Sequence, residues 1–137
     1  NYKFWFGIAA GFAILVSVVL GLKITNQPTG LAAVSPEMAQ TQDYYTKVIN
    51  KELRNIAKQE SPENKILIQD AMAQMKKLEN DFAVLQKDLI ASGDDSRIIY
   101  AMIANFQNRI GILKKVLEQI EQVEQIKQKN HENQITI

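Results

Sequence analysis

The chain has 137 residues, with 16 Lys/Arg against 15 Asp/Glu and no cysteine. That length suits one small domain plus an accessory segment, and the lack of Cys removes disulfides, thiolate metal sites and cysteine nucleophiles together. From Ile24 onward the charges are 14 basic to 15 acidic with the signs interspersed, so no basic stripe provides the electrostatic footprint of a nucleic-acid-binding surface.

The first predicted element is a membrane helix. Phe4 to Leu22 is a run of 19 residues without a charge, in which only Ser17 has a polar side chain. At about 1.5 Å rise per residue it reaches about 28 Å, close to the hydrocarbon thickness of a bilayer. A core helix of a small soluble protein needs a polar face, and this run has none. Tyr2 and Trp5 at its start suit the headgroup layer. Lys3 and Lys23 flank the two ends, so the positive-inside rule selects no orientation. The competing reading is a cleaved signal peptide, but its apolar core is usually shorter and its small-x-small site closer. Here the first such site, Gly30-Leu31-Ala32, lies eight residues past the run. Because residue 1 is Asn, further sequence is expected before it. Inside the run Gly7 and Gly11 form a small-xxx-small pair, and Ala13, Ser17 and Gly21 a second row. Gly7, Gly11, Ser17 and Gly21 are therefore candidate packing positions for a homodimer or a partner helix.

Residues 23–34 read as a linker, with Asn26, Gln27, Pro28, Thr29 and Gly30 as its turn formers. Ser35-Pro36-Glu37 then recurs as Ser61-Pro62-Glu63. In both, Ser can cap a helix, Pro can take the first helical position, and Glu complements the positive helix end. Helices are therefore expected over about 36–59 and 62–91, the first ending before Pro62. Ser92-Gly93-Asp94-Asp95 supplies a glycine stop and an aspartate cap, opening a third helix over about 95–127. Residues 128–137 are polar and expected to be a disordered tail.

The apolar spacing agrees with this division. Ile68, Ala71, Met75, Leu78, Phe82, Leu85 and Leu89 alternate steps of three and four, as do Ile99, Ile103, Phe106, Ile110, Leu113, Leu117 and Ile120. Each is a coiled-coil type of stripe. The first helix is weaker, with Met38, Tyr45, Ile49, Leu53 and Ile56 on one side and Val48 beside them. No segment sustains period-two alternation, so no strands are expected. Short connections between long helices imply antiparallel neighbours, hence an all-α chain: one transmembrane helix, then an antiparallel three-helix bundle whose second and third helices form a long hairpin. Ile66, Leu67, Ile98, Met102, Ile112, Val116, Val123 and Ile126 widen the apolar faces, for use by the third helix or by a partner chain.

Little in the sequence carries chemistry. His131 is the only histidine and sits in the polar tail, where nothing would hold a partner beside it. Asp94 and Asp95 read as a capping pair, and Glu118, Glu121 and Glu124 as a solvated face. No glycine-rich phosphate loop or calcium loop is present. No catalytic residue, metal ligand or cofactor is expected. Asn105, Asn108 and Arg109 cluster beside Phe106 and Ile110. They form either a surface strip or a register-setting polar contact, since one buried polar group can fix helix alignment. Gly111, inside the same helix, either permits a close approach or is tolerated.

Several stretches carry a resemblance: Ser35-Pro36-Glu37-Met38 through Tyr44-Tyr45, Ile68-Gln69-Asp70-Ala71, Gln74-Met75-Lys76-Lys77-Leu78-Glu79, and Ile99-Tyr100-Ala101-Met102-Ile103-Ala104-Asn105-Phe106-Gln107-Asn108-Arg109-Ile110. The chain resembles small single-pass membrane proteins of flavobacteria labelled anti-sigma-factor-like. The resemblance implies an inner-membrane protein with a cytoplasmic segment upstream of Asn1 and a helical periplasmic domain. A sigma-binding part would precede Asn1, so no functional residue transfers to these positions. The expected function is a non-enzymatic regulatory or sensory interaction module, with membrane lipid and a protein partner as its contacts. The alternative is an accessory subunit of a larger inner-membrane complex.

Overall fold

The computed structural model describes residues 29–135. The expected membrane helix, with Gly7, Gly11, Ser17 and Gly21, lies outside the described residues, as do linker positions 23–28. Among the described residues no helix is long and apolar enough to cross a membrane. What is described is all-α: a 3-10 turn (Gly30–Ala33) followed by α1 (Pro36–Lys58), α2 (Lys65–Ser92) and α3 (Ser96–Ile135).

Each helix start has a local cause. Ser35 caps α1, its Oγ accepting from the Met38 N–H at 3.1 Å, with Pro36 in the first turn. The second Ser-Pro-Glu behaves differently, and α2 begins at Lys65 rather than Pro62. Asn64 takes control of that turn. Its Oδ1 accepts from Ser61 N–H at 2.8 Å, and its Nδ2 donates to the Gln59 carbonyl at 2.6 Å. Asn64 is 3% exposed, so this amide satisfies backbone groups that the reversal would otherwise bury unpaired. Gly93 closes α2 at φ 66°, its N–H donating to the Leu89 carbonyl, as a left-handed C-cap requires. Asp94 follows at φ 63°. Asp95 then caps α3, its Oδ1 accepting from Arg97 N–H at 2.8 Å.

The third helix corrects the expected tail, because α3 continues through residues 128–135 to Ile135. Gln, Lys and Glu are good helix formers, and no Gly or Pro follows Gly111 to stop the ladder. Polarity there marks a solvated helix rather than a disordered chain.

Packing centres on α3, which contacts both α1 and α2, while α1 and α2 do not pack on one another along their length. The core comprises Leu31, Ile49, Ile56, Ile68, Ala71, Met75, Leu89, Met102, Phe106, Leu113, Val116 and Ile120. Here the widened apolar face of α3 finds its use: Met102 and Val116 are buried, and Ile98 and Ile112 pack beside them, as a helix with two neighbours needs. Ile66, Val123 and Ile126 remain exposed. The linker reading also changes, because Leu31, expected in a loose connection, is fully buried.

Candidate functional site

The most chemically distinctive place is a layer across the middle of α3. Phe106 is its centre. On one side its ring stacks on Tyr45 of α1, with centroids 5.4 Å apart and planes at 7°. On the other it meets Phe82 of α2 at 4.8 Å. Tyr44 edges against Tyr45 at 5.4 Å and is itself exposed. Gln107 Nε2 donates to the Tyr45 hydroxyl at 3.1 Å. Four aromatic rings therefore run from α2 across α3 to the outer surface of α1.

Beside this stack lies a polar contact to α2. Asn105, 5% exposed, donates from Nδ2 to the Leu78 carbonyl at 2.8 Å. Arg109 donates to Glu79 Oε1 at 3.3 Å, and its guanidinium carbon lies 5.9 Å from the Phe106 ring centroid. Burial pushes the Arg109 guanidinium below its ordinary value, while the neighbouring Glu79 charge acts in the other direction. Asn105 Oδ1 and Arg109 Nε are buried without a hydrogen-bond partner in the protein. Each such atom carries a desolvation cost of roughly 1–3 kcal/mol.

Of the three residues singled out in sequence, the fold brings Asn105 and Arg109 to the α2–α3 interface and leaves Asn108 exposed. Glu79 as the partner of Arg109, and Phe82 and Tyr45 as the partners of Phe106, were not foreseen. The hairpin itself contained the signal: Glu79 and Arg109 lie fifteen residues either side of Asp94, and Phe82 and Phe106 twelve. An antiparallel hairpin centred on Asp94 brings such pairs level.

At this layer α3 is tied to α2 by Asn105 on the Leu78 carbonyl and by Arg109 on Glu79. Among the described residues no group of three or more His, Cys, Asp or Glu is placed to hold a metal ion. His131 is exposed on the last turns of α3. A shallow cleft of ≈ 240 Å³ is lined by Asn55, Gln59, Leu117, Glu118 and Glu121, away from the aromatic layer. Asp95 is occupied by Arg97, whose hydrogen bonds hold its carboxyl below the usual range. At the far end Lys127 donates to Glu63 at 3.0 Å, tying α3 to the α1–α2 turn. With its own backbone and Ser61 also contributing, that ammonium brings the Glu63 carboxyl from 4.5 down to about 2. No protein-family model, curated protein or solved structure matches the chain.

Proposed function

We propose that the chain is a membrane-anchored, non-enzymatic interaction module with a regulatory or sensory role, its helical bundle in the periplasm and its anchor in the inner membrane. The observation that carries this reading is the uncharged run Phe4–Leu22 placed directly before a small all-helical bundle. A bundle that binds a partner influences the other side of the membrane through one helix only by altering dimerisation, helix position or proteolysis, because a ligand must distinguish two states. The small-residue rows of the run, Gly7 with Gly11 and Ser17 with Gly21, provide the packing face for the first of these. The buried contacts of Asn105 and Arg109 support a register-setting role, since they give the α2–α3 hairpin one favoured alignment. In keeping with the anti-sigma-like resemblance, a sigma factor is the expected cytoplasmic partner, engaged by residues upstream of Asn1.

A second reading, an accessory subunit of a larger inner-membrane complex, is favoured by one observation. Val123 and Ile126 extend the apolar face of α3 and are exposed, at 39% and 60%. Affinity purification of the full-length protein from membranes in mild detergent separates the two. A co-purifying sigma factor supports regulation, and stoichiometric recovery with a multi-subunit assembly supports the accessory role. Recovery of the protein in the soluble periplasmic fraction refutes the anchor in both.

A further inference from the structure

The connection entering the bundle is built as a seat. Leu31 is 0% exposed and belongs to the buried core of the bundle. Gln42 on α1 grips it from both sides of the turn: its Oε1 accepts from Leu31 N–H at 2.9 Å, and its Nε2 donates to the Thr29 carbonyl at 3.3 Å. Gly30, at φ +64°, lies between α1 and α2. A Cβ there would come within 2.7 Å of Gln42 Oε1 and 2.9 Å of Gln86 Nε2. The turn thus sits between the ends of two helices that otherwise make little contact with one another.

We propose that Thr29–Val34 is a releasable strap that couples the position of the preceding apolar segment to the packing of this end of the bundle. The inference rests on the membrane-anchor reading only for the source of the pull. From Leu22 to Thr29 the chain can span at most about 25 Å, at about 3.6 Å per residue. A one-turn shift of a helix, about 5.4 Å, is about a fifth of that maximum span. The seat is strong enough to hold and weak enough to yield. Burial of one Leu favours the seated state by roughly 10- to 100-fold, so load on the connector unseats Leu31 before it unfolds the bundle. Once Leu31 leaves, Gln42 loses both partners, and the first turns of α1 part from the end of α2. The distal core around Leu113 and Ile120 stays closed. Such local opening below the global unfolding threshold is what signalling elements draw on.

Amide hydrogen exchange on the full chain tests this, because Leu31 N–H is itself one of the clamp bonds. In the native protein in phospholipid nanodiscs, Leu31 should exchange more slowly than exposed amides and faster than Leu113. Gln42→Ala should speed Leu31 about tenfold, the loss of two net hydrogen bonds, with Leu113 and Ile120 unchanged. Leu31 exchanging at the Leu113 rate, or unmoved by Gln42→Ala, overturns the strap. Because the chain has no cysteine, thiol labelling of Leu31→Cys and Leu113→Cys gives a second measure of the same two openings. Coupling predicts that the Leu31 rate differs at least threefold between nanodiscs and detergent micelles, where the lateral load is relieved. Alkaline extraction of native membranes is scored separately. Release of the protein removes the anchor and overturns both proposals, whereas retention with equal Leu31 rates overturns the strap alone.

Discussion

Along its α2 edge α3 carries Asn105 and Arg109, which bond to the Leu78 carbonyl and Glu79 and leave two buried polar atoms unpaired. Along its α1 edge the same helix uses ring stacking on Tyr45 and one exposed hydrogen bond from Gln107. Both edges hold a helix in place by different physics. The α1 edge depends on apolar area, which is tolerant of small shifts. The α2 edge adds to its own apolar packing the Arg109–Glu79 pair, which is not: sliding α2 by one turn would carry Glu79 away from a largely buried guanidinium. Both interfaces adhere through apolar area, and the α2 edge adds buried polar contacts to it.

The sharpest way to break that contrast is Phe106→Ala, because Phe106 belongs to both edges. A cost of about 3–5 kcal/mol is expected in denaturant melts, with α1 and α2 losing protection together. Next comes the ion pair. Arg109→Ala should cost about 2 kcal/mol, since Glu79 stays partly buried without its cation. Arg109→Met combined with Glu79→Met should instead be neutral or stabilising by about 1 kcal/mol. If the α2 edge sets alignment, that double variant should also broaden amide resonances of the α2–α3 hairpin. Sharp, singly populated spectra would show that the pair does not specify register.

Smaller effects separate the edges residue by residue. Asn105→Ala should cost about 1–2 kcal/mol, the loss of a buried hydrogen bond to a carbonyl that then keeps only its helical partner. Tyr45→Phe, which removes only the exposed bond to Gln107, should stay within about 0.5 kcal/mol. Gly111 touches neither edge and a Cβ there meets nothing, so Gly111→Ala should stabilise by about 0.5–1 kcal/mol in a thermal melt. The least effect belongs to the exposed Glu63–Lys127 bond. Its folded carboxyl lies at about 2 against an ordinary 4.5, so its contribution is present above about 4.5 and lost as pH falls through about 2. Carboxyl NMR titration should find that low midpoint and its return toward 4.5 in Lys127→Met. High salt should erase much of the shift.

The helical stripes were legible because burial repeats every three or four residues. Ile68, Met75, Leu113 and Ile120 sit where that pattern requires, whereas Met102 and Val116, read as flanking residues, are buried more deeply than Ile99 and Ile103 of the stripe. The two Ser-Pro-Glu signals show where reading stopped. Both contain a cap, a first-turn Pro and an acid, yet only Ser35 caps a helix. The difference is Asn64, whose amide reaches both ways across the turn, and the second tripeptide becomes part of a reversal. That outcome needs the tertiary path from Gln59 to Lys65, which local spacing does not contain. The 128–135 helix was missed because polar composition was read as disorder. The Asn105–Arg109 contact was half legible: the residues were visible, but their burial depends on how far α3 rotates between two neighbours. Leu31 was hidden by the turn formers around it.

One consequence of the packing concerns time. Since α1 meets α3 but not α2 along its length, the α2–α3 hairpin closes through a short loop, whereas Tyr45 must find Gln107 across 62 residues. Loop-closure entropy makes the nearer contact the earlier one. During folding α1 therefore docks last, onto a hairpin whose alignment is already set. In unfolding it departs first, and a transient two-helix species should be the kinetic signature of this chain.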